Sequence, residues 1–97
     1  MKFNELKEAF DVKVKTKITG KKLPTRNSTF EFYAEPDKKG FFNVYIKASG
    51  KYYKVTYLPA DDEDEILGNV NNWIDSKKGD FVSLITKYLN KTYKLGL

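Results

Sequence analysis

Basic side chains are concentrated in the first third of the chain, where they could attract phosphate groups. The cluster consists of Lys13, Lys15, Lys17, Lys21, Lys22 and Arg26. Alternate residues of a β-strand share one face at a spacing of about 6.6 Å, so the first three lysines would form a row that can follow an extended nucleic acid backbone. Such binding weakens steeply with salt. The alternative is a solvated sheet face whose lysines discourage edge pairing and face Glu31 and Glu35 on a neighbouring strand.

Aromatic residues alternate with lysines in the middle of the chain. The residues predicted to share an outward face there are Tyr33, Phe41, Tyr45, Lys47, Tyr52 and Lys54. Rings that stack on bases, next to lysines that hold phosphates, are typical of surfaces that bind single-stranded nucleic acid. An exposed aromatic patch serves a protein partner equally well, with Phe41, Tyr45 and Tyr52 as its anchors. Packing within the sheet is a third explanation, because tyrosine is common in strands.

A run of acidic residues follows the last predicted strand and consists of Asp61, Asp62, Glu63, Asp64 and Glu65. The simplest interpretation is a helix start, where the positive end of the helix dipole favours carboxylates and Asp61 or Asp62 can cap the first turn. The alternative is a surface that steers the protein to a partner protein or imitates a phosphate backbone. The run lacks the spaced oxygens and the glycine of a calcium loop, so no metal site is predicted.

The composition removes several classes of chemistry. The chain has no cysteine and no histidine, which excludes disulfides, thiolate nucleophiles, imidazole bases and zinc-finger clusters. No spacing pairs a nucleophile with a base, and neither GKK at 20–22 nor SGK at 49–51 has the rest of a phosphate-binding loop. We therefore predict no catalytic residues, no enzyme activity, no cofactor and no metal.

The charge is unevenly distributed along the chain. Residues 1–60 carry a net charge of +7 and residues 61–97 a net charge of −2. Arg26 is the single arginine among 18 basic residues, and lysine lacks the planar fork with which arginine reads guanine. A nucleic acid partner would therefore be held mainly by its backbone, with little sequence preference.

The cellular location is predicted from the same composition. No apolar stretch is long enough to span a membrane, and charged residues interrupt 1–10, where a signal peptide would be apolar. The excess of lysine over arginine is typical of proteins from AT-rich genomes. We expect a cytoplasmic protein of a bacterial or phage-infected host cell, without membrane contact.

The periodicity of apolar residues predicts the elements that position these side chains. The predicted strands span 12–19, 29–35, 41–48 and 52–58. The predicted helices are a short one over 3–10, one running from 61 or 62 to 75, and one that follows Asp80. A polar, basic loop is expected over 20–28, with tight turns at 36–40 and 49–50. In the last strand, Tyr53, Val55 and Tyr57 are expected on the core face.

These elements predict one α+β domain over residues 1–97. It consists of a four-stranded antiparallel sheet, preceded by a short N-terminal helix and followed by two C-terminal helices packed on the sheet. The order of elements over 29–75 is similar to part of the double-stranded RNA-binding domain. That family grips phosphates with a basic cluster at the start of its last helix, whereas the corresponding helix here begins with acidic residues, so the resemblance is of topology alone.

Two functions from different classes follow. The first is a non-catalytic nucleic-acid-binding module with little sequence specificity, which uses the lysine-rich strand and loop and the tyrosine–lysine sheet face. The second is a small phage-like interaction protein that inhibits or regulates a bacterial host enzyme or defence complex by binding to it. The first function requires the sheet tyrosines to be accessible.

Overall fold

The computed structural model describes residues 14–38, 40–77 and 79–97. They form an α+β fold in which an antiparallel sheet precedes two helices, as predicted. The strands are β1 (Val14–Lys15), β2 (Lys21–Leu23), β3 (Glu31–Pro36), β4 (Phe41–Ala48) and β5 (Lys51–Pro59). The helices are α1 (Glu63–Asp75) and α2 (Phe81–Tyr93). The predicted helix over 3–10 and residue Lys13 lie outside the described residues.

The described sheet has five strands, so the prediction of four is wrong. The spatial order is β1-β5-β4-β3-β2, and all neighbours are antiparallel. The segment predicted as one strand over 12–19 and a loop over 20–28 instead contributes β1 to one edge of the sheet and β2 to the other. Alternation of lysine with apolar residues indicates extended chain, but it does not reveal where such a chain leaves one edge and joins another.

Residues 16–20 connect the two edges of the sheet, and we call them the crossing segment. Thr19 contacts Glu35, whose side chain lies on the sheet face opposite the helices, so the segment passes over that face. Gly20 lies so close to β3 that a Cβ atom there would be 1.9 Å from the carbonyl oxygen of Ala34. The absence of a side chain at Gly20 is therefore what allows the chain to approach β3.

The register between β4 and β5 contains a bulge that the sequence does not signal. Val44 pairs with Thr56 and Tyr45 with Lys54, so Val55 has no counterpart on β4. The extra residue moves Tyr57 to the face opposite the helices, where it pairs with Asn43. The prediction that Tyr53, Val55 and Tyr57 share the core face is therefore wrong for Tyr57.

The core lies between the sheet and the two helices. Phe32, Val44 and Ile46 of the sheet are fully buried beneath Ile66, Val70 and Leu89 of the helices. The Phe81 ring joins the two layers through contacts with Phe30, Phe32 and Trp73. Leu84 of α2 is 45% exposed and does not belong to the core.

Candidate nucleic-acid interface

The sheet face opposite the helices carries most of the predicted aromatic and lysine residues. Cross-strand pairing places Tyr33, Tyr45 and Lys54 in one row of this face, and Glu31, Lys47 and Tyr52 in the next. The strand register therefore brings these side chains together as the alternation predicts. Their exposure, however, differs from one row to the other.

Tyr45 and Lys54 were predicted to be exposed, and this prediction is wrong. Tyr45 is 0% exposed and Lys54 is 4% exposed, so neither side chain offers a surface for stacking or for binding phosphate. The Tyr45 hydroxyl donates a hydrogen bond to Glu35 at 3.3 Å. Burial, followed by the nearby Glu35 carboxylate, raises the pKa of the Tyr45 hydroxyl well above its ordinary value. Tyr45 is thus part of the structure beneath the surface, not an anchor for a partner.

Glu35 is the acceptor at the centre of this partly buried polar network. Its carboxylate accepts hydrogen bonds from Lys15 Nζ at 2.9 and 3.2 Å, and from the backbone amide and hydroxyl of Thr19 at 3.0 and 3.1 Å. Burial alone would raise the pKa of Glu35, but the hydrogen bonds from Thr19 and Lys15 outweigh it and lower the pKa. The network therefore attaches the crossing segment to β3.

The structure gives ion-pair partners to half of the predicted basic cluster. Lys15 pairs with Glu35, Lys21 with Glu63 at 3.5 Å, and Arg26 with Asp75. The backbone amide of Arg26 also donates to the side chain of Asn71, so this residue holds the loop after β2 against α1. These three cations serve as structural contacts as well as surface charges.

Lys17 and Lys22 differ from the rest of the cluster. Both are exposed, and neither forms an ion pair with another residue of 14–38, 40–77 or 79–97. Lys22 pairs with Tyr33 in the register between β2 and β3. Only these two members of the cluster therefore remain as uncompensated charges in the described part of the chain.

Tyr33 and Tyr52 keep part of their rings accessible on this face. We define the tyrosine patch as these two residues together with Lys47 and Glu31. The two rings are half-buried and meet edge to face, with centroids 5.0 Å apart. Lys47 is exposed, and its Nζ lies 5.7 Å from the centre of the Tyr52 ring. The Tyr33 hydroxyl donates to Glu31 at 3.1 Å, and burial and this contact raise its pKa. Each ring is thus held in place while part of it faces solvent.

Phe41 lies at the far end of the same face. It is 39% exposed and stacks on the half-buried Tyr57, with ring centroids 4.9 Å apart and an interplanar angle of 7°. Of the three anchors predicted for a protein partner, Phe41 and Tyr52 are therefore accessible in part, while Tyr45 is not. The two accessible ones belong to separate pairs of rings.

The acidic run is largely accounted for by the start of α1. Asp62 is the N-cap, and its Oδ1 accepts a hydrogen bond from the backbone amide of Glu65 at 2.8 Å. The Glu65 side chain accepts one from the amide of Asp61 at 2.7 Å. Glu63 pairs with Lys21, so Asp64 is the member of the run to which the structure gives no such contact among the described residues. This geometry favours helix capping over phosphate mimicry.

Replacement of the cap tests this interpretation. We expect Asp62→Ala to lower the free energy of unfolding by about 1 kcal/mol, because an amide at the helix start loses its acceptor. Asp64→Ala, in the same turn, should change stability by less than about 0.5 kcal/mol. Urea unfolding of both variants, followed by Trp73 fluorescence, makes the comparison. Equal effects would contradict a capping role for Asp62.

Comparison of the chain with protein-family models, with curated proteins and with solved structures finds no match. Among residues 14–38, 40–77 and 79–97, no cluster of three or more acidic side chains could hold a metal ion. No helix in this part of the chain is long and apolar enough to cross a membrane.

Sequence reasoning did not identify the residues that organise this face. The sequence indicates Glu31 and Glu35 only as partners of the strand lysines; Glu35 is buried and pairs with Lys15, whereas Glu31 is exposed. The sequence does not indicate a role for Thr19, because its contact with Glu35 forms only when the crossing segment passes over β3, which lies later in the chain. Asn43, 3% exposed, has a side-chain oxygen without a hydrogen-bond partner and was also not identified. A carboxylate between apolar residues of a strand is the one signal that could have indicated the network.

Proposed function

We propose that the protein binds single-stranded nucleic acid, without catalysis and with little sequence preference, through the tyrosine patch. The observation that carries this proposal is the half-buried, edge-to-face pair Tyr33 and Tyr52 with the Lys47 ammonium above the Tyr52 ring. Rings fixed against each other lose little conformational entropy when a base stacks on them. A base stacked on an aromatic side chain contributes about 1–3 kcal/mol, whatever its identity.

Phosphate attraction comes from lysines around the patch. Lys47 lies within it, Lys22 neighbours Tyr33, and Lys17 belongs to the crossing segment over the same face. The only arginine pairs with Asp75, so it does not supply the bidentate contact that reads guanine. A duplex hides the faces of its bases, and the patch would then have only phosphates to contact. We therefore expect single strands to be preferred over duplexes.

The aromatic contribution is tested by fluorescence anisotropy with a labelled oligothymidylate. The double variant Tyr33→Leu/Tyr52→Leu should bind about tenfold more weakly, because leucine keeps apolar contact but removes the stacking surface. Tyr57→Leu, which removes a half-buried tyrosine at the far end of the same face, is the matched control and should bind like the parent. Equal losses in both variants would place the binding surface elsewhere.

The electrostatic contribution is tested with one lysine on each side of the molecule. Lys47→Gln should reduce the slope of log affinity against log salt by about 0.7, the value for one phosphate contact on a single strand. Lys87→Gln on α2 changes the net charge equally and should leave the slope unchanged. Lys15 and Lys21 are unsuitable for charge reversal, since Lys15→Glu would place a second carboxylate beside Glu35. Identical slopes for the two glutamine variants would mean that only net charge matters.

The second candidate function is regulation of a bacterial host protein by direct binding. It is favoured by Phe41, an exposed ring already stacked on Tyr57, because such anchors dominate the energy of protein interfaces. Nuclease-treated bacterial lysate passed over the immobilised protein and over Phe41→Ser separates the two functions. A stoichiometric protein captured by the parent alone, together with no oligonucleotide binding, would replace the nucleic acid proposal.

A further inference from the structure

A cleft of about 170 Å³ lies between β2 and the first turn of α1. Its apolar lining includes Leu23, Phe42, Ile66 and Leu67, while its charged lining consists of Lys21 and Lys22 from β2 and Glu63 and Asp64 from α1. The volume is close to that of an engineered apolar cavity of about 150 Å³ that binds benzene. One large apolar side chain therefore fits the space.

The strand beside this cleft is an edge of the sheet. In the described part of the chain, β2 pairs with β3 and with no other strand. An edge strand presents backbone N–H and C=O groups on which an extended chain can form a further antiparallel or parallel ladder. The cleft is thus next to a backbone edge that can hold an extended peptide.

Side chains along β2 alternate between the two faces of the sheet, and this alternation determines which residues of a bound peptide face the cleft. Lys21 and Leu23 pair with Ala34 and Phe32 of the core face, whereas Lys22 pairs with Tyr33 on the opposite face. A strand added to β2 would follow the same alternation, with one side chain over the cleft and its neighbours beside Lys22.

Charge complementarity determines which peptide residues are favoured on either side of the one that enters the cleft. Lys22 is exposed and has no ion pair with any other described residue, so carboxylates beside it would be favoured. Lysines would be repelled. Two copies of the chain paired antiparallel about Lys22 would place these lysines opposite each other. A second copy is therefore disfavoured as the occupant.

We propose that β2 docks an extended segment of a partner protein in which an apolar residue, which enters the cleft, is flanked by acidic residues. The backbone ladder supplies affinity, the cleft selects a large apolar side chain, and Lys22 selects the flanking carboxylates. The cleft and the β2 backbone edge do not include the tyrosine rings, so this docking site does not rest on the nucleic acid proposal, although Lys22 belongs to both surfaces.

The test is an NMR titration of the ¹⁵N-labelled protein with the capped peptide Glu-Phe-Glu-Phe-Glu. We expect saturable shifts centred on the backbone amides of Lys21, Lys22 and Leu23, and at least tenfold slower exchange of β2 amide protons with solvent. The peptide Lys-Phe-Lys-Phe-Lys should bind at least tenfold more weakly. An N-methylated acidic peptide, which cannot complete the ladder, should bind equally weakly. Comparable affinity for all three peptides, or shifts spread over surface lysines without protection of β2, would overturn the proposal.

Variants of the protein provide a second test, which asks whether the peptide occupies the cleft. Leu67→Gln places an amide in the wall of the cleft and should weaken acidic peptide binding about fivefold. Leu84→Gln, an equivalent change of an exposed leucine on α2, should leave it unchanged. Tyr33→Leu/Tyr52→Leu should still bind the peptide, so loss of nucleic acid binding and loss of peptide binding are separate outcomes. Equal binding by Leu67→Gln and Leu84→Gln would show that the cleft is not occupied.

Discussion

Gly20→Ala is expected to lower the free energy of unfolding by about 3 kcal/mol, at the upper end of the usual effect of overpacking. The added methyl group would lie 1.9 Å from the carbonyl oxygen of Ala34 and 2.9 Å from Cα of Glu35. Both are backbone atoms of β3, so no side-chain rotation can relieve the overlap. Either the crossing segment moves away, which removes the Thr19 hydrogen bonds to Glu35, or β2 loses its pairing with β3.

Gly68→Ala is the matched control. Gly68 lies on the exposed side of α1, and a Cβ atom there would meet nothing within 4 Å. Alanine in the interior of a helix is more favourable than glycine by about 0.5–1 kcal/mol, so this variant should be slightly more stable than the parent. Thermal unfolding followed by Trp73 fluorescence distinguishes the two, since each kcal/mol shifts Tm by about 4–8 °C in a domain of this size. A Gly20→Ala variant as stable as the parent would contradict the close approach of the crossing segment to β3.

Glu35→Gln is expected to be the second most destabilising change, by about 2–3 kcal/mol at pH 7. Glutamine has the same shape, but it loses the charge-assisted hydrogen bonds from Lys15. It also turns an NH₂ donor toward groups that now donate to Glu35. The Lys15 side chain is 34% exposed and keeps part of its hydration, so the effect is smaller than for a fully buried ion pair.

The pH dependence of this effect follows from the lowered pKa of Glu35. A carboxyl group whose pKa is lower in the folded state stabilises the fold at all pH values above its unfolded pKa, near 4.5. That contribution is lost as the pH falls through the folded pKa, which lies below 4.5. The stability difference between the parent and Glu35→Gln should therefore be largest at neutral pH and should shrink as the pH falls below about 4.5.

Urea unfolding at pH 7 and at pH 3 measures both quantities. Glu31→Gln, on the same strand and the same face but exposed, is the control and should change stability by less than about 0.5 kcal/mol at either pH. A Glu35→Gln difference that is the same at pH 3 and pH 7 would show that burial of the side chain, not its charge, stabilises the network.

The crossing segment links the stability of the fold to the proposed function. Thr19 and Lys15 attach to Glu35 on the face opposite the helices, where Tyr45 is fully buried. Tyr33 and Tyr52 remain half-exposed on that face. Variants of the tyrosine patch should therefore change binding with little loss of stability, whereas variants of the network should lower the free energy of unfolding.

The sequence alone determined the α+β class, the three-stranded meander of β3 to β5 and the two C-terminal helices. Each of these follows from local information. A period of two marks the strands, Ser49 and Gly50, both with positive φ, form the two-residue turn between β4 and β5, and Asp62 caps α1. Such signals act between residues close in the chain, so they can be read from the printed sequence.

Only the tertiary structure decided which residues of the candidate site are accessible. Tyr33 and Tyr45 look alike in the sequence, on strands of the same alternating pattern, yet one is half-exposed and the other fully buried. The bulge at Val55 exchanged the faces of the residues that follow it, and the crossing segment brought Thr19 to Glu35. Both effects depend on contacts between strands distant in sequence, and alternation describes a strand's two faces without saying what packs against either.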